Sequence, residues 1–125
     1  MSLVFGYAAG ASRGGSLAGI RVHDDGRVEL LEPARDWREI AVLEPGEVEQ
    51  LAQATRAAGI QDLPAEVPRP ATMRDSSDCE LWTDLDGRSV RSVVHGWSEE
   101  NELARPSLDL VLTLSGLVSA AQARG

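Results

Sequence analysis

The sequence predicts an α+β domain: an antiparallel sheet of about five to six strands built from two hairpin units, with two helices packed on one face. Three observations carry that expectation. Two pairs of segments with alternating apolar and polar residues are joined by the short turns Asp24-Asp-Gly26 and Asp86-Gly87. A segment opened by Pro45 and closed by Gly59 has the apolar spacing of a helix, and a second such segment follows Pro106. At 125 residues the chain makes one domain, 1–125, large enough to bury roughly two-thirds of its unfolded surface.

Taken in order, Leu3-Val-Phe-Gly-Tyr7 reads as a first strand and the small residues Ala8 to Ser16 as a loop. Leu17 to His23 alternates, with Ala18, Ile20 and Val22 on the core side and Leu17, Gly19 and Arg21 on the other. Asp and Gly tolerate the backbone angles of a tight hairpin, so Asp24 to Gly26 turns the chain. Arg27 to Leu31 returns with Val28 and Leu30 inward, and Trp37 to Leu43 is a candidate fourth strand. From Glu44 to Ala58 a helix is expected, since Pro45 suits a first turn and acidic residues there complement the dipole. Val48, Leu51, Ala52, Thr55 and Ala58 form its apolar stripe, and Gly59 supplies a left-handed cap. Three prolines between Gln61 and Asp75 argue against regular structure there.

The second hairpin is Cys79 to Leu85 returning through Ser89 to Val94. Cys79 shares a face with Leu81 and Leu85, which places Trp82 on the opposite side of the sheet. His95 to Arg105 reads as a polar loop, and Pro106 opens a helix running to about Ala123. That helix has two stripes, one of Leu108, Val111, Leu112 and Ser115, the other of Leu110, Leu114, Leu117 and Ala121. A helix apolar on two faces is either deeply buried or shared with a partner. A homodimer through this C-terminal helix is the expectation that follows.

Composition narrows the functional classes. With 12 basic and 20 acidic residues the net charge is -8, which repels nucleic acid and anionic membranes alike. One cysteine excludes an intramolecular disulfide framework and a four-thiolate zinc site. The start Met-Ser-Leu-Val-Phe-Gly-Tyr lacks the pattern of a signal peptide, so the cytoplasm is the expected location.

The glycines from Gly14 to Gly19 invite comparison with a phosphate-binding loop. Such a loop needs a helix immediately after it, to bring the phosphate to the helix N-terminus. Here a strand and a hairpin follow, so Gly14 and Gly15 turn the chain, and Gly19 marks a bulge or the close approach of another backbone. His23 with Asp24 and Asp25 offers either a metal-binding trio or an ordinary solvated turn. His95, near Trp97, Glu99 and Glu100, is open in the same way. Asp75 and Asp78 could act as paired carboxylates only within a cleft that splits their pKa values. Cys79, on an apolar strand face, reads better as a buried inert thiol than as a nucleophile. Trp37, Trp82 and Trp97 serve either to cover the sheet or as interface anchors, because tryptophan is enriched in binding hot spots.

Phe5, Gly14-Gly-Ser-Leu-Ala-Gly19, Leu51, Leu63-Pro64 and Asp86-Gly87, in the order strand, glycine loop, hairpin, helix, proline loop, hairpin, helix, resemble the emfourin-like family of small bacterial metalloprotease inhibitors. The chain departs from that pattern by the additional residues Tyr7 to Arg13 and the arm Asp24 to Leu43. With that arm it is equally similar to an uncharacterised bacterial domain of the same element order. The resemblance implies a non-catalytic protein-binding module without a cofactor, an inhibitor of a thermolysin-like protease. Gly14, Gly15, Trp82 and Trp97 are then the expected partner-binding residues. The alternative is a metal-dependent hydrolase or ligand-binding domain using His23, His95 and nearby acidic residues.

Overall fold

The computed structural model describes residues 2–10, 18–32, 36–72 and 78–124. Among these, seven strands and two α-helices form: β1 (Leu3–Gly10), β2 (Ala18–His23), β3 (Arg27–Leu31), β4 (Trp37–Val42), α1 (Pro45–Ala57), β5 (Glu66–Val67), β6 (Asp78–Thr83), β7 (Val90–Val94) and α2 (Arg105–Arg124). They make one sheet in the order β4-β3-β2-β1-β6-β7-β5, antiparallel throughout except for the parallel pairing of β5 with β7. No described helix is long and apolar enough to cross a membrane.

Side-chain alternation on β1 assigns the two faces. Phe5 and Tyr7 stack on each other on the helix side, while Gly6 and Ala8 point to the other side. An irregularity in the β1–β2 register between Leu3 and Phe5 shifts the phase. Val4 and Phe5 are consequently both buried in the core, and Leu3 joins Gly6 and Ala8 on the outer face. Of the residues expected to face the core on β2 and β3, Val22 and Val28 are fully buried and Ile20 and Leu30 half-buried, whereas Ala18, at the start of β2, is exposed. Gly26 turns the hairpin with φ 95°, and its carbonyl accepts the Leu43 amide at 2.8 Å. Gly19 is the predicted close approach: a Cβ there would stand 1.9 Å from the Tyr7 carbonyl oxygen.

Helix α1 packs on β1, and α2 lies beside α1 and reaches β4. Leu51, Ala52 and Thr55 are the buried stripe of α1, and Gly59 follows the helix with φ 72°. The helices are antiparallel, with Arg124 at the end of α2 donating to Glu47 in the first turn of α1. The carboxylate of Glu47 also accepts the Glu44 amide at 2.9 Å, satisfying a free donor at the helix start.

Four expectations need correcting. Strand β1 continues through Gly10, so Ala8 to Gly10 is not loop; Ala8 and Ala9 are paired with both β2 and β6, and Gly10 with β6. The proline-rich stretch holds a short strand, β5, which is the seventh. Proline lacks the N–H but keeps its carbonyl, and β5 needs mainly acceptors: the Ala65 and Val67 carbonyls take the Val93 and His95 amides at 2.8 and 2.9 Å. The segment from His95 to Arg105 is polar but not simply solvated. Asn101 is buried there, its amide nitrogen donating to the Pro68, His95 and Gly96 carbonyls and its side-chain oxygen accepting the Leu103 amide. Finally, the α2 stripe of Leu110, Leu114, Leu117 and Ala121 is buried within this one chain. The large apolar side chain that α2 leaves exposed is Leu112, at 72%, and the stripe on which the expected homodimer rested is occupied.

Two outcomes follow from this packing. Leu114→Glu should abolish the cooperative melt rather than yield a folded monomer, because it drives a carboxylate into the core at a cost of roughly 4 kcal/mol or more. Asn101→Ala should keep the fold but lose about 2–3 kcal/mol in urea denaturation, since the carbonyls of Pro68, His95 and Gly96 lose the buried donor they share. A melt unchanged in either variant would contradict the assignment.

Candidate functional site

The side of the sheet facing away from the helices carries the densest cluster of chemically capable side chains. Its floor is made by the small residues of the central strands, Gly6, Ala8 and Gly19. Side chains from both flanks lean over that floor. Trp37 comes from the edge strand β4 and Trp82 from β6, four strand spacings away, roughly 19 Å between backbones. Their ring centroids are nevertheless only 6.4 Å apart, in an edge-to-face arrangement. The small floor permits this: a Cβ on Gly6 would lie 3.2 Å from Trp82 Cε3 and 3.0 Å from Arg21 Cβ. Trp37 and Trp82 thus cover the open face, and with Leu3, Ala8, Arg21, Leu31 and Glu80 they line a groove of about 380 Å³.

Arg21 is fixed within this cluster by two groups. Its guanidinium carbon sits 4.2 Å from the centroid of a Trp37 ring, an attraction between cation and ring quadrupole. Its Nε donates to Glu29 Oε1 at 2.8 Å across the β2–β3 pair. The same carboxylate oxygen accepts from His23 Nε2, so this ring nitrogen carries the proton, and the buried Nδ1 has no partner. Hydrogen bonds from Arg21, then from His23, hold the Glu29 carboxyl below the usual carboxylate range, against the opposing effect of burial. On the other rim Glu80 is bound through both oxygens by Arg91, at 2.9 Å each.

The predicted candidates divide. Trp82 lies in this cluster, and Gly14 and Gly15 lie outside the described residues, as does Asp75. Trp97 does not belong to the cluster. It stacks on Tyr7 at 5.9 Å and donates to Ser107 Oγ at 2.9 Å, so it is a packing residue on the helix side. The His23-Asp24-Asp25 trio does not converge, because His23 turns onto Glu29 while Asp25 binds the Arg27 amide and guanidinium. His95 contacts Asp78 at 3.2 Å and Glu66 at 3.6 Å. His23 pairs with Leu3 and Asp78 with Gly10, opposite ends of the eight-residue β1, so the two histidines stand roughly 20 Å apart. No single site takes in both. No group of three His, Cys, Asp or Glu side chains among the described residues is arranged to hold a metal ion. Burial pushes the Cys79 thiol up to about 12, which leaves it protonated and unreactive at neutral pH.

What the sequence did not bring together is the grouping of Arg21, Glu29, His23 and Trp37 with Trp82. The signal was partly present, since alternation places Arg21 on the face opposite Val22 and Trp82 opposite Leu81. Joining them requires knowing that β1 lies between β2 and β6. Comparison of the chain with protein-family models and with curated proteins gives no match.

The carboxylate at the centre of the cluster makes stability depend on pH. A lowered folded-state pKa means that the contribution of Glu29 is complete above the ordinary carboxylate range and is lost as the pH falls through the folded value. Glu29→Gln should therefore cost about 1–2 kcal/mol at neutral pH. The gap from wild type should close in acid, measured as urea midpoints over a pH series. A gap that stays constant into acid would show that Glu29 acts without its charge.

Proposed function

We propose that this chain is a non-catalytic protein-binding domain that presents the helix-free face of its sheet to a partner. One observation carries the reading: Trp37, Arg21 and Trp82, from three separate strands, gather over a groove on that face. Tryptophan and arginine dominate binding hot spots because they combine large contact area with directional hydrogen bonding. Strands hold these side chains more firmly than loops do, and Glu29 fixes the Arg21 guanidinium in advance. Such preorganisation reduces the entropy lost on association.

Inhibition of a thermolysin-like protease, which the family resemblance implies, is a narrower form of this proposal. A competing segment for that role is His95 to Arg105, held in shape by Asn101. Trp97 points inward from it, so Trp97→Ala would test packing rather than contact.

The experiment is residual proteolysis by a panel of bacterial thermolysin-like enzymes in the presence of excess protein, with parallel capture of binding partners on immobilised protein. Stoichiometric inhibition that weakens in Trp82→Ala, with its melt retained, is the expected outcome. A panel left untouched removes the inhibitor role. Partners captured equally by wild type and by Trp82→Ala would remove the open face as the binding surface.

A further inference from the structure

The hydrogen-bonding capacity left unused in the groove identifies what it takes. Both carboxylates around it are engaged: Glu29 by Arg21 and His23, and Glu80 by the two-oxygen contact with Arg91. The face of Trp37 that could attract a cation already carries one, the guanidinium of Arg21. A cationic ligand would thus find both carboxylates and this ring face taken. The donors are in a different state. Arg21 uses Nε on Glu29, and among the described residues its two terminal nitrogens make no hydrogen bond. The indole N–H groups of Trp37 and Trp82 likewise donate to no described residue. A planar guanidinium locked at one end and free at the other matches the two oxygens of a carboxylate. Beside it, Leu3, Leu31 and the two indoles supply an apolar wall.

Resting on the protein-binding reading above, we infer that the groove anchors an acidic side chain of the partner, an aspartate or glutamate flanked by apolar residues, on the free edge of Arg21. The groove lies along the outside of the sheet, so a chain segment can cross it and lower one carboxylate toward Arg21. Neighbouring apolar side chains then rest on Trp82 and Leu31. Glu29 holds the guanidinium in orientation and is a positioning residue; it does not touch the ligand. Among the charges bordering the site, Glu80 opposes an incoming carboxylate, and the two-oxygen contact with Arg91 offsets that opposition.

The test uses the whole chain and blocked peptides, read by the indole N–H resonances of Trp37 and Trp82. Ac-Leu-Glu-Leu-NH2 should shift both resonances in a saturable manner. Its neutral isostere Ac-Leu-Gln-Leu-NH2 should bind about tenfold more weakly, the loss of one charged bidentate contact. Arg21→Gln should remove the difference between the two peptides, and Arg21→Lys, which keeps charge but not the fork, should restore only part of it. Should Arg21→Gln fail to fold, the comparison of the two peptides on the wild-type chain still decides. Ac-Leu-Gln-Leu with a free C-terminus separates the sources. If it binds as well as the glutamate peptide, a chain-terminal carboxylate is the anchor and the proposal is overturned. Equal binding of the glutamate and glutamine peptides, or no shift with either, overturns it as well. Neither result touches the protein-binding reading, which stands or falls on partner capture by Trp82→Ala.

Discussion

Strand β1 is first in sequence and occupies the middle place of the seven-stranded sheet, hydrogen-bonded to β2 along one edge and to β6 along the other. Its side chains divide the molecule. Val4, Phe5 and Tyr7 set the position of the core and of the helices that cover it. Gly6 and Ala8, with Gly19 from the next strand, keep the opposite surface low enough for large side chains to fold inward over it. The asymmetry of one strand, bulky on one side and nearly bare on the other, thus determines both what is buried and where a concavity forms.

Local rules recover most elements of this chain because the local and global preferences agree. Helix α1 has proline at its first position, an apolar stripe and a left-handed glycine just past its end. The hairpin turns carry the Asp and Gly residues that their backbone angles require, Asp86 at φ 59° and Gly87 at φ 74° among them. The misses arise where a long-range partner decides. Ala8 to Gly10 has little intrinsic strand preference, yet β6 pairs with all three residues and β2 with the first two. Glu66–Val67 is too short and too close to prolines to signal a strand, and β7 recruits it. Asn101 looks like any polar loop residue until the three carbonyls around it are known.

The site was legible only in fragments, for the same reason. Alternation tells which side of a strand a residue occupies, not which strand lies beside it. Arg21 and Glu29 are near in sequence and could be matched through their hairpin. Trp37 and Trp82 are far apart in the chain and meet only because β1 brings β2 and β6 together. Trp97 misled for the opposite reason: a tryptophan in a polar loop suggests exposure, but the loop folds back and delivers its ring to Tyr7 and Ser107. The buried polar groups Thr83 and Ser92 are similarly tied to distant carbonyls, those of Val4 and Pro64.

The two borders of the sheet differ in a way that limits how the molecule can aggregate. At one border the two-residue β5 lies between Pro64 and Pro68, which have no amide hydrogen to offer a newcomer. At the other, β4 presents six residues with one backbone edge unpaired among the described strands. Growth by strand addition is therefore favoured at β4. Two copies meeting there around a two-fold axis would each use up the available border, and the assembly would terminate as a closed pair. A fibre built by strand addition requires two long open borders on every subunit, and the two-residue β5 makes a poor second one.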